Sequence, residues 1–322
     1  MIRENDGSWR EASWNDALQM IVHGVKAIQE KFGSDQIGAI GSPQSTTEEL
    51  ALLARLTRAL GSENVDFRLR QTDARFDQAL EGTPWLGMPI AELNHLDRVV
   101  VIGSFLRKDH PLMAQRLRQA VKKGAQVSFI DSAADDPLFT HIAGRITTAP
   151  SQIANAVAQV AVAVAQAKNQ TPIDEFATLK PSEAAKQIAQ SLASGERVAV
   201  FLGNMAVASD QASVIMANAT VLANTLGATL GFLTAGGNTV GGYLAGATPV
   251  NGGLTAEQML AQSLHAYFVL NVEPELDSDL GARAVETLKG ATLSVALTPY
   301  RSAAESWADV MLPIAPFTET SG

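Results

Sequence analysis

The chain has 322 residues, enough for two cores, because single cores stop growing at roughly 250–300 residues. At 46% hydrophobic and 18% charged it is not disordered, and with aromatics at only 6% its cores must be built from Ala, Val, Leu and Ile. A net charge of −9 speaks against a nucleic-acid partner, and the lack of cysteine excludes disulfides, thiolate metal sites and cysteine-ligated clusters within these residues.

The opening, Met1-Ile2-Arg3-Glu4-Asn5-Asp6, is charged and has no apolar stretch of a signal peptide. Ser13 with Asp16 reads as the start of a helix. Leu18, Ile21, Val22, Val25 and Ile28 then recur at helical spacing until Gly33. A strand follows over 37–40, closed by Gly41-Ser42, and Thr46 with Glu49 reads as a capping box for a helix that ends at Gly61. The unit recurs: a strand over 98–102 closed by Gly103-Ser104, a helix over 111–123 stopped by Gly124, and a strand over 127–130 closed by Asp131-Ser132. An Ala/Val/Gln-rich helix, a break at Pro172 and a helix from Ser182 look like a connection between domains. Further strands are expected over 198–202, closed by Gly203-Asn204, over 267–270, closed by Asn271, and over 293–297 and 310–312. Residues 211–256 carry no charge, but Asn218, Asn224, Thr225 and Thr229 interrupt the apolar run. A buried core helix ended by Gly227 is expected there rather than a membrane span, which needs ~20 mostly apolar residues.

Strands without inside/outside alternation, separated by helices, imply an α/β protein with parallel sheets covered on both faces. Ligands of such sheets bind beyond the carboxyl ends of the strands. The candidate positions are therefore Gly41, Ser42, Gly103, Ser104, Asp131, Gly203 and Asn204, with Gly237 and Asn238 from the run Gly236-Gly237-Asn238-Thr239-Val240-Gly241-Gly242. That run can cradle an anion on its amides or serve as a buried crossing loop that needs small residues. No Gly-x-Gly-x-x-Gly, Walker A loop, nucleophile elbow or His-Glu-x-x-His is present. The five histidines, His23, His95, His110, His141 and His265, are scattered, and no metal site is expected from them. Two basic clusters stand against the acidic whole: Arg68, Arg70 and Arg75, and Arg107, Lys108, Arg116, Arg118, Lys122 and Lys123. The first is expected to supply an internal ion pair; the second is either a solvated helix face or a subunit contact.

The order of these pieces resembles the large α/β region of molybdopterin oxidoreductases. The resemblance is carried by Asp6-Gly7-Ser8-Trp9, Ala12-Ser13-Trp14-Asn15-Asp16-Ala17-Leu18, Gly41-Ser42-Pro43, Gly61-Ser62-Glu63-Asn64-Val65-Asp66, Gly103-Ser104, His110-Pro111 and Lys123-Gly124-Ala125. It closes on Ala308-Asp309-Val310-Met311-Leu312-Pro313 and Phe317-Thr318-Glu319-Thr320-Ser321-Gly322. Within that superfamily, Asp66-Phe67-Arg68-Leu69-Arg70-Gln71-Thr72-Asp73 and Leu106-Arg107-Lys108-Asp109-His110-Pro111-Leu112 resemble the large iron–sulfur subunit of bacterial NADH:quinone oxidoreductase, respiratory complex I.

The resemblance implies two doubly wound, Rossmann-like domains: 1–70 with 175–322 as a split domain, and 71–174 inserted into it. It implies a cofactor-free scaffold with no catalytic residue of its own. Iron–sulfur clusters would lie in an N-terminal part that this cysteine-free piece lacks, and other peripheral-arm subunits of complex I would be its partners. The location implied is the cytoplasmic face of the bacterial inner membrane, without insertion into it. Two departures agree. Active molybdenum enzymes offer Cys, selenocysteine, Ser or Asp shortly after Asn-Val-Asp, where this chain offers only Asp73, and the strand-end acid often precedes Pro-Arg, where Asp131 precedes Ser132-Ala133. The family pattern continues beyond Gly322, so the chain reads as a piece of a longer subunit. The alternative is a fragment of a molybdopterin-dependent oxidoreductase such as a formate dehydrogenase.

Overall fold

The computed structural model describes residues 1–176 and 178–321. Gly322, the last residue of the closing motif, lies outside them. In chain order the strands are β1 (Ile2–Arg3), β2 (Trp9–Arg10), β3 (Ile37–Ile40), β4 (Val65–Asp66), β5 (Arg98–Ile102), β6 (Gln126–Asp131), β7 (Gly144–Thr147), β8 (Val198–Leu202), β9 (Thr229–Phe232), β10 (Ala266–Leu270), β11 (Leu293–Thr298) and β12 (Val310–Pro313). They form two sheets, one in each of two units: Met1–Gln71 with Gly236–Gly322, and Thr72–Ala235.

The first unit orders its strands β2-β1-β12-β11-β10-β3-β4. From β12 to β4 every pairing is parallel, and β1 and β2 add an antiparallel edge. The parallel part, read in chain order, is the 2-1-3-4-5 winding, with its switch point between β3 and β10. Its opening helix, Trp14–Phe32, starts where Ser13 accepts a hydrogen bond from the Asp16 amide and stops at Gly33. That helix buries Ala17, Ile21, Val25 and Ile28, whereas Leu18 and Val22, expected to point inward, lie exposed. The helix Thr47–Ala59 begins in the full Thr46/Glu49 capping box, and such caps stabilise by about 0.5–2 kcal/mol.

The second unit orders its sheet β7-β6-β5-β8-β9, all parallel. This is the 3-2-1-4-5 winding, with its switch point between β5 and β8. Both units are thus doubly wound α/β domains.

The expected domain boundary needs correction. The return to the first unit lies at Gly236, not near residue 175. β8 pairs with β5 from Val198↔Arg98 to Leu202↔Ile102, and β9 pairs with β8 from Thr229↔Ala199 onward, so both belong to the inserted sheet. Nor do the Ala/Val/Gln-rich helix and the helix from Ser182 form a connection between domains. The helix Ile153–Ala167 buries Val157, Val160 and Val164 and shares a core with Ile188 and Leu192 of Glu183–Ala193 and with Ile215 and Leu222 of Ala212–Leu226. A helix apolar on most sides, as this Ala/Val run is, belongs inside a domain. No described helix is long and apolar enough to cross a membrane.

Candidate functional site

At the carboxyl edge of the first sheet, Asp66 ends β4 with its side chain fully buried. One oxygen accepts from Arg68 Nε at 2.7 Å and from the Phe67 and Arg68 amides; the other accepts from Arg68 Nη2 at 3.2 Å and from the Ala256 amide. Arg68 also donates to the Tyr243 hydroxyl, and its guanidinium lies over that ring. A bidentate, desolvated pair of this kind is costly to break from one side, about 3–5 kcal/mol. Arg70 donates to the carbonyls of Leu276 and Asp277. The expected internal ion pair is therefore Asp66–Arg68, and Arg70 closes a helix end.

Gly41, after β3, packs against Leu50, whose Cδ2 would lie 2.7 Å from a Cβ at this position, and its amide donates to Asp66 O. The Ser42 hydroxyl accepts from the Gln44 amide. In the glycine-rich run, a Cβ on Gly236 would collide with Pro43, and one on Gly242 would meet the Phe67 ring at 2.6 Å. Asn238 donates through its amide to Pro43 O and through Nδ2 to Ser45 O, while the Gly236 amide donates to Thr239 Oγ1. Gly237 is the open position. The run passes into the short helix Thr239–Leu244; its small residues Gly236 and Gly242 admit Pro43 and Phe67, and Asn238 and the Gly236 amide are satisfied within the unit. Asn271, after β10, has φ 54° and donates to Leu297 O.

In the second unit, Gly103 and Gly203 end the two strands that flank the switch point, and their turns close on each other. A Cβ on Gly103 would sit 2.6 Å from the Ala206 amide nitrogen, and one on Gly203 would overlap the Ser104 side chain. Beside them, Ser104 Oγ, Ser132 Oγ and Asn204 Oδ1 are buried without a hydrogen-bond partner among the described residues. Asp131 ends β6 and meets Arg145 Nε of β7 at 3.6 Å and Thr147 Oγ1 at 3.3 Å. Burial pushes its carboxyl above the ordinary value, with Arg145 and Thr147 pulling it back. His110 precedes the helix Pro111–Lys122, and its Nε2 lies 2.9 Å from Thr234 O.

Asp73 has its own partners in this unit. Its carboxylate accepts from the Arg75 side chain at 3.0 Å and from the Ser213 amide and hydroxyl at 3.0 and 2.5 Å. Burial works against ionisation, but these hydrogen bonds outweigh it and bring the carboxyl down to about 2. Among the described residues, no three His, Asp or Glu side chains converge as a metal site would require. Sequence reading missed Arg145, which meets Asp131 from the neighbouring strand, and Ser213 and Tyr243, which reach their partners across distant stretches of chain; none carries a local motif.

The molybdopterin oxidoreductase family model matches residues 1–322. A protein of Staphylococcus aureus (strain bovine RF122 / ET3-1) named putative formate dehydrogenase is 32% identical over 126 residues, 38% of this chain and 13% of that protein. The chain thus matches only a small share of that longer relative. Among solved structures, acetylene hydratase from Pelobacter acetylenicus superimposes with a TM-score of 0.67 at 15% identity, over 98% of this chain and 54% of that one. A chain of the formyltransferase/hydrolase complex from Methylorubrum extorquens superimposes with a TM-score of 0.64 at 13% identity, over 98% and 86%. At such identities the structures share the fold and nothing finer. The paired doubly wound sheets and the match along the whole length lead to one statement: this chain belongs to the molybdopterin oxidoreductase family.

Proposed function

We propose that these residues form a scaffold region in the large iron–sulfur subunit of a bacterial NADH:quinone oxidoreductase, and that they hold no pterin themselves. The observation that carries the reading is close packing of glycines on protein atoms: Gly103 and Gly203, at strand ends, pack on each other's turns, while Gly236 and the helical Gly242 pack on Pro43 and Phe67. These glycines serve the close approach of one protein segment to another, as a scaffold requires. The stretches around Arg68-Leu69-Arg70-Gln71 and Leu106-Arg107-Lys108-Asp109-His110-Pro111 support the complex I assignment within the family.

The chain's donor set does not suit a pterin-bound molybdenum. It has no thiol, and the one carboxylate at the family's ligand position, Asp73, is committed to Arg75 and Ser213. No chemical step is assigned to these residues. In this reading they brace cluster-bearing parts of the subunit and pack on neighbouring peripheral-arm subunits at the cytoplasmic face of the membrane.

A second reading, a piece of a pterin-binding oxidoreductase such as a formate dehydrogenase, is favoured by the similarity to a protein named putative formate dehydrogenase and by one structural observation. Ser104 Oγ, Ser132 Oγ and Asn204 Oδ1, buried and without partners among the described residues, lie at the carboxyl ends of β5, β6 and β8. Thermal unfolding of the chain with millimolar guanine nucleotides separates the two. The scaffold reading expects no shift in Tm, and a saturable rise in Tm with nucleotide concentration would favour the second.

A further inference from the structure

The basic side chains of the two clusters meet different fates. Arg68, Arg75 and Arg107 pair with acids of their own unit, as do Arg10, Arg58, Arg145, Lys186 and Arg301 elsewhere. Arg116, Arg118, Lys122 and Lys123 do not: none has an ion-pair partner among the described residues. All four belong to the helix Pro111–Lys122 and its last cap, a segment with no acidic residue. Glu92, on the adjoining turn Ile90–His95, forms no ion pair with them.

The arrangement is ordered. The helix buries Ala114, Leu117, Ala120 and Val121. At 3.6 residues per turn, the opposite side presents Leu112, Gln115 and Gln119 in its middle. Arg116 and Lys123 flank that strip on one side, and Arg118 and Lys122 on the other. Leu112 is 79% exposed. A neutral strip with one apolar knob, rimmed by cations, has the anatomy of a protein contact: a less charged centre, a polar rim and arginines at the boundary.

We infer that this helix face docks an acidic patch on a neighbouring protein subunit, with carboxylates meeting the four cations and a shallow apolar recess receiving Leu112. This deepens the scaffold reading and rests on it for the existence of that neighbour. Two other anionic partners fit less well. A membrane-surface helix needs a broad apolar face, where this one offers a single leucine. A single-stranded nucleic acid needs aromatic platforms, and this face has none. A chain of net charge −9 also repels any extended polyanion, whereas a local acidic patch within a Debye length is attracted.

The test uses the assembled native complex and a carbodiimide, which joins lysine amines to carboxylates in direct contact. Crosslinks from Lys122 or Lys123 to Asp or Glu of another subunit, lost when 1 M salt is present during the reaction, are the expected result. An independent arm reassembles the complex with the R116E/R118E/K122E/K123E variant beside a charge-keeping R116K/R118K control. Association on the order of tenfold slower at low salt, with the control unchanged, is expected. Full reactivity of both lysines toward an amine reagent in the complex, with no inter-subunit crosslink, would overturn the proposal. So would protection of the two lysines that requires anionic vesicles or RNA. Metal content reports the scaffold reading and crosslinking reports this face, so either can fail alone.

Discussion

The carboxyl edges of the two sheets solve one problem in different ways. Parallel winding brings strand ends, glycines and polar turns to a single edge in each unit, where relatives of such folds bind ligands. In the first unit the edge is closed by a buried ion pair, with Asp66 accepting from five donors on Arg68, Phe67 and Ala256. In the second unit the turns close sterically around Gly103 and Gly203, yet Ser104, Ser132 and Asn204 keep buried polar atoms without partners among the described residues. The contrast is one of degree, because Ser45 Oγ, just beyond β3 in the first unit, is likewise buried without a partner among the described residues.

The largest expected effect breaks the electrostatic closure. Asp66→Ala strands a buried guanidinium and should destabilise the first unit by about 3–5 kcal/mol, read as a lower urea midpoint by tryptophan fluorescence. A change under about 1 kcal/mol would mean that Arg68 finds water and that the edge is open. Breaking the steric closure comes next. Gly203→Ala drives a methyl into Ser104 and should cost about 1–3 kcal/mol, whereas Gly237→Ala, at the open position, should stay within about 0.5 kcal/mol. Equal effects would show that the contact between the turns is not tight.

Asp73→Asn is expected to cost about 1–2 kcal/mol at pH 7, discounted for the exposed Arg75 partner. The sign follows from a carboxyl whose folded value, about 2, lies below its ordinary 3.8. Its stabilisation is fully present above about pH 4 and is lost as the pH falls through 2. The difference between wild type and variant should therefore shrink across that window in acid unfolding, and a difference constant from pH 7 to 2 would contradict the assignment. Smallest is Ser104→Ala. Removing a buried hydroxyl with no partner should be neutral or stabilising by up to about 1 kcal/mol. A marked loss would reveal a partner, protein or ligand, at this strand end.

Much of the fold was legible because the signals are local. The Thr46/Glu49 box, the Ser13 cap, the strands over 98–102 and 198–202 and the stop at Gly227 each follow from a few adjacent residues. The second domain boundary was not legible. The pairing of β8 with β5 joins residues a hundred apart, and nothing within 175–235 says which sheet its strands extend. β9 hid in an apolar run that also holds a buried helix, and β7 is four residues with a partly exposed arginine. For the site, chain pattern placed Gly103, Gly203 and Asp131 at strand ends. Whether those ends face space or protein depends on Ala206, Ser104 and Arg145, which only the folded chain brings there.

The proposal of a scaffold that holds no pterin is tested most directly by measuring iron and molybdenum together on the full-length protein purified from its host. The account predicts abundant iron and no molybdenum. Molybdenum in stoichiometric amount would contradict it and return the strand ends of the second unit to the status of a working site.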